Sequence, residues 1–186
     1  MKKKSLALLV AVVLVIGCVI GGTLAWLTDS TEQVKNTFTT SDIDITLAET
    51  TGTEYKMVPG YTIAKDPKAT VLAGSEECYL FVKLEKSSNF DNYMEYAVAD
   101  GWTALDNIDN VYYRVVNTAD MGTAYSVLAN DQVTVKGAVT KEMMTAAETD
   151  QPTLTVTAYA SQLHKNNSQD FTAAEAWANV SNPAGN

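Results

Sequence analysis

Histidine and cysteine are nearly missing from this chain: one of the first and two of the second in 186 residues. A hydrolytic zinc site wants three protein ligands, with histidine dominant. Here there is no H-E-x-x-H and no second histidine to join His164. Ser–His and Cys–His pairs depend on the same residue. His164 stands in the polar run Leu163-His164-Lys165-Asn166-Asn167-Ser168 and reads as a solvated loop side chain. The chain also lacks a glycine-rich phosphate loop. Positive charge is short: 13 Lys and Arg face 22 Asp and Glu, for a net charge of −9. That balance is wrong for nucleic acid and for an anionic lipid surface, both of which want Lys and Arg. The sequence therefore offers no catalytic, cofactor-binding or metal residue and no nucleic-acid partner.

Charge is absent altogether between Leu6 and Ile20, and Lys2, Lys3 and Lys4 precede that block. A basic start, an apolar block and small residues at its exit make a secretory signal peptide. A spanning helix needs roughly 20 apolar residues, and Gly21-Gly22 weakens any extension of this one, glycine costing roughly 1 kcal/mol against alanine. Thr23 and Ala25 occupy the small positions of a T-x-A exit. The expected cut falls after Ala25, with Trp26 as the new N-terminus. It removes three lysines and no acid, taking the net charge from −9 to −12. The cut also removes Cys18, so Cys78 stands alone without a disulfide. An alternative is open at Val15-Ile16-Gly17-Cys18, which has the form of a lipobox and would make a lipidated Cys18 the first residue.

Beyond residue 40 the pattern is that of short strands. Asp42-Ile43-Asp44-Ile45-Thr46-Leu47 alternates strictly, with Ile43, Ile45 and Leu47 on one face. Val58-Pro59-Gly60-Tyr61 has the chemistry of a type II turn. Residues 78–85 read as a core strand, with Cys78, Leu80, Val82 and Leu84 against Tyr79, Phe81, Lys83 and Glu85. Asp100-Gly101 reads as a hairpin turn between 96–98 and 102–105, and Ala129-Asn130-Asp131 as the link between two paired strands, 125–128 and 132–136. Residues 140–148 are helix formers. Residues 153–162 return to strand, and Thr172-Ala173-Ala174-Glu175 is a capping box that opens a helix through Trp177. Asp106–Asn110 and Asp42 with Asp44 carry oxygen ligands, but neither matches a calcium loop, and both read as turn chemistry. Tyr79, Phe81, Trp102, Tyr112, Tyr113 and Tyr159 lie inside strand runs, where aromatics build cores and cross-strand pairs.

Two stretches carry a family resemblance. Gly22-Thr23-Leu24-Ala25-Trp26-Leu27-Thr28-Asp29, then Asn36-Thr37-Phe38 and Asp42 to Leu47, resemble the start of the TasA/camelysin group. Leu154-Thr155-Val156-Thr157-Ala158-Tyr159-Ala160-Ser161-Gln162 and Ala173-Ala174-Glu175-Ala176-Trp177 resemble its later part. These are exported Gram-positive proteins whose signal peptide is of the type cut by a SipW-like signal peptidase. The resemblance implies a mainly β fold, a jelly-roll-like antiparallel β-sandwich with two or three short helices, preceded by an N-terminal signal helix. The expected organisation is a signal peptide over 1–25, an N-terminal arm over 26–40 and a β-sandwich domain over 41–186. The implied function is a secreted structural protein of the extracellular biofilm matrix or cell surface. It would polymerise with itself or a related matrix subunit by donor-strand exchange, and would touch the membrane only before signal cleavage. The arm would anchor through Trp26, Leu27, Val34 and Phe38. The alternatives are a camelysin-type secreted metalloprotease and a monomeric surface adhesin or lipoprotein.

Overall fold

Alternating apolar residues become antiparallel strands throughout the computed structural model, which describes residues 42–52 and 54–181. The order begins β1 (Ile45–Ala48), β2 (Thr62–Ala64), β3 (Lys68–Val71), β4 (Cys78–Lys86), α1 (Phe90–Tyr93), β5 (Met94–Glu95), β6 (Thr103–Ala104) and β7 (Val111–Val116). It continues through β8 (Tyr125–Ser126), β9 (Gln132–Val135), α2 (Lys141–Ala147), β10 (Leu154–Gln162), β11 (His164–Asn166), β12 (Gln169–Asp170) and α3 (Ala173–Ser181). The described region is thus mainly β, with antiparallel sheets and three α-helices.

One four-stranded sheet, β10-β4-β7-β6, forms the centre. Its middle strand β4 is as apolar as its alternation requires: Cys78, Leu80, Val82 and Leu84 are all fully buried. They share a core with Ala69 and Val71 of β3, Val127 and Leu128 after β8, and Val133 and Val135 of β9. Each buried Val or Leu contributes about 1.5–3 kcal/mol, so this face carries much of the folding free energy. Two three-stranded sheets, β1-β3-β8 and β2-β9-β5, supply the opposing residues.

The second face of the sheet is aromatic, and the C-terminal helix covers it. Tyr79, Phe81, Tyr113 and Tyr159 cluster with Ala176 and Trp177 of α3. Trp177 sits 5.3 Å from Phe81 and 5.2 Å, edge-on, from Tyr159, centroid to centroid. The capping box forms: Thr172 N–H donates to Glu175 Oε2 at 2.9 Å, and Glu175 N–H donates to Thr172 Oγ1 at 3.3 Å. Satisfying those two free donors starts the helix where Trp177 can reach the sheet.

Two hairpins expected from the sequence do not form. The segment 97–99 does not pair with 102–105. Ala99 N–H donates to Val127 O and Ala129 N–H to Ala97 O, each at 2.9 Å, and Val98 bridges Leu128. Asp100-Gly101 turns the chain away toward β6, which pairs with β7 instead. Likewise β8 pairs with β3, and β9 with β2 and β5. The link between them has two successive left-handed residues, Asn130 (φ 55°) and Asp131 (φ 52°), and carries the chain from one sheet to another. Leu47, expected on a buried face, is 38% exposed because β1 is an edge strand. The Pro59-Gly60 turn closes as expected, with Tyr61 N–H on Val58 O at 3.0 Å and Gly60 at φ 79°.

Candidate functional site

Sheet edges are where a β protein presents unpaired backbone groups. β10 is the longest of them, and β4 is its only strand partner among the described residues. The ladder's phase follows from its two ends. Leu163 N–H donates to Glu77 O at 2.9 Å, and Ser87 N–H donates to Thr153 O at 3.0 Å. In the register that pairs Leu154 with Lys86 and Gln162 with Cys78, the odd-numbered residues therefore bond to β4. The even-numbered ones, Leu154, Val156, Ala158, Ala160 and Gln162, turn N–H and C=O outward.

Those same even positions, Gln162 apart, point their side chains into the main core, where Leu154, Val156, Ala158 and Ala160 are only half-buried. Their neighbours Leu80, Val82 and Leu84 are completely enclosed. The core is thus open along β10, and two of the four residues lining the opening are alanines. The adjoining β1 has the same character. Leu72 N–H donates to Asp44 O at 2.8 Å, so in its register with β3 the odd residues Ile45 and Leu47 turn their backbone groups away from β3. β1 lies against β10, so both strands bordering the opening present apolar side chains and, among the described residues, backbone groups with no strand partner.

The other margin is closed by side chains. Arg114 of β7 places its guanidinium 3.7 Å from the Tyr125 ring centroid and 5.0 Å from that of Trp102. It also donates to Gly101 O at 3.1 Å. Trp102 Nε1–H donates to Ser126 O of β8 at 2.8 Å. Stacked cations and rings of this kind hold more firmly when partly desolvated.

A second cluster gathers at the far end of β10. His164 Nδ1 lies 2.6 Å from Asp170 Oδ1, and Nε2 lies 3.1 Å from Glu77 Oε2. Glu77 Oε1 accepts from Thr118 N–H at 3.0 Å and Thr118 Oγ1–H at 3.1 Å. The bond to Asp170, and next that to Glu77, raise the His164 pKa above its ordinary value. The Thr118 amide, then His164, hold the Glu77 carboxyl below its own. His164 is solvated, as the sequence reading has it, with a side chain 53% exposed, but it stands in β11 between two carboxylates rather than in a loop. Its partners stand 6 and 87 residues away, and no local pattern points to the second. While both nitrogens carry a proton toward these carboxylates, the imidazole has no lone pair to offer a metal or a nucleophile's proton. Among the described residues no three His, Cys, Asp or Glu side chains are grouped to hold a metal ion.

Cys78 is fully buried, and desolvation pushes its thiol up to about 11, the opposite of an activated nucleophile. Asn107 and Asn110 take left-handed turn conformations (φ 60° and 61°), and Asp42 Oδ1 accepts from Ile43 N–H at 2.8 Å. The aromatics of the β4 face serve the core under α3. Cys18, the cleavage pair Ala25 and Trp26, and the arm anchors Leu27, Val34 and Phe38 lie outside the described residues. The chain matches no family model, no curated protein and no solved structure.

Proposed function

We propose that this protein is an exported, self-assembling structural subunit of the TasA/camelysin type, acting in the extracellular matrix or on the surface of a Gram-positive bacterium. Its domain is read as a jelly-roll-like β-sandwich, with the β10 margin as the acceptor for an incoming strand. The single observation that carries this reading is the open edge of β10. Five outward-facing residues, Leu154, Val156, Ala158, Ala160 and Gln162, lie beside a half-covered core.

The occupant is the arm over 26–38 of a second copy or a related matrix subunit. Val34 and Phe38 share a parity along that arm, and Trp26 and Leu27 add bulk at its start. An extended arm of this length covers a nine-residue strand, at about 3.3 Å per residue. Backbone hydrogen bonds supply affinity, and apolar side chains entering the opening supply register. Cleavage after Ala25 by a SipW-like signal peptidase frees the arm, so export itself switches assembly on, and the membrane is touched only before that cut. Electron microscopy of the mature protein lacking 26–35 tests the reading: filaments should be lost, and an unchanged filament yield overturns it.

A further inference from the structure

We propose that His164 is a proton-operated clip: its doubly protonated ring ties the β11–β12 hairpin to the segment entering β4, and loss of one proton releases it. The geometry is specific to the charged ring. Both nitrogens face carboxylate oxygens, at 2.6 Å for Asp170 and 3.1 Å for Glu77, and ionised carboxylates only accept. A neutral imidazole has one N–H, so either tautomer turns a lone pair toward an anion. Glu77 cannot simply swing away, because Thr118 fixes its other oxygen twice.

The hairpin itself is weak enough to depend on the clip. Its ladder pairs His164 with Asp170 and Asn166 with Gln169, with an irregular register between, Phe171 N–H on Leu163 O closes its base, and two-stranded ribbons are marginal in water. The surroundings favour the cation. Asp42, Glu76 and Glu77 share a cavity with His164, Asp170 faces it from β12, and Tyr79 of β4 spends its hydroxyl on Phe171 O at 2.9 Å. The neighbouring Lys165 is turned to Glu175, 3.5 Å away at the start of α3. Among the described residues, His164 is the cation that meets the two carboxylates at close range.

The sign follows. The closed hairpin binds the proton more tightly than the open one, so, while the two carboxylates stay ionised, the clip holds fully below pH 6.5, the ring's ordinary value, and fails as pH rises through the raised value. His164 is the only histidine in the chain, so one imidazole signal in an NMR titration reports it alone. Its midpoint should lie above 6.5. Protection of the Phe171 amide, which donates to Leu163 O at 2.8 Å, should fall with rising pH after correction for intrinsic exchange. The fall should approach about tenfold for each unit by which the midpoint exceeds 6.5. Glu77→Gln should lower the midpoint, and His164→Gln should flatten the protection profile. A midpoint at or below 6.5, one unmoved by Glu77→Gln, or the same profile in His164→Gln overturns the clip.

Discussion

Proline at two adjacent positions of β10 should have opposite consequences. Ala158 turns its N–H away from β4, whereas Thr157 pairs with Lys83 inside the ladder. Ala158→Pro therefore removes no ladder bond among the described residues, and an edge strand with its N–H turned away from its partner tolerates proline. The folded monomer should stay within about 1 kcal/mol of the parent, since edge substitutions away from buried contacts cost little. Thr157→Pro deletes a ladder donor, leaves the Lys83 carbonyl unsatisfied and pushes its ring into β4. That should cost at least ~2 kcal/mol. Assembly should respond in the other direction. A ring at 158 blocks the incoming strand there and disturbs pairing at 156 and 160, a loss of two or three bonds of about 1 kcal/mol each. The concentration needed for polymerisation should rise about 30- to 150-fold. Urea unfolding followed by circular dichroism measures the first effect, and light scattering against concentration with electron micrographs measures the second. Filaments from Ala158→Pro at the parent concentration would remove β10 as the acceptor. Equal destabilisation by the two prolines would show that the ladder phase is wrong.

Other expectations rest on separate features. Trp177→Ala strips α3 of its contact with Phe81 and Tyr159 and should cost about 3–5 kcal/mol in urea unfolding; a loss below 1 kcal/mol would mean that the helix does not seal that face. Gly101→Ala should destabilise by more than ~1 kcal/mol, because φ is +84° and the new Cβ meets Arg114 Nη2. Thermal melting of that variant beside Arg114→Ala separates the backbone strain from the clash. Cys78 should resist a thiol reagent at pH 8 in the native protein and react once urea unfolds it; fast native labelling would refute its burial. Intact-mass spectrometry of the exported form should give a chain beginning at Trp26, and a diacylated Cys18 would transfer the protein to the lipoprotein reading.

Strand positions were largely legible because alternation is a local property. The apolar parity of 78–85 and 154–162 reappears as β4 and β10, and the capping box at Thr172 opens α3. Partner choice was not legible. Residues 96–98 and 102–105 looked like the arms of a hairpin about Asp100-Gly101, yet 97–99 pairs with 127–129. Burying Val98 and Leu128 against the common core outweighs a short connection. The partners of His164 were hidden for a related reason. A polar neighbourhood in sequence says nothing about Glu77, which the β4–β10 register brings alongside.

By itself, then, the order of residues determined what is decided within a few positions: the three lysines and uncharged apolar block of residues 2–20, the turns at Gly60 and Asn107, which face of each strand is apolar, and where α3 begins. Tertiary structure alone decided which strand has a partner on one side only among the described residues. Hydrogen-bond parity along β10 depends on its register against β4, and register is set by the simultaneous burial of side chains far apart in the chain. Arg114 closes one margin against Tyr125 while Ala158 and Ala160 leave the other open, an asymmetry created by packing rather than by any local run of residues.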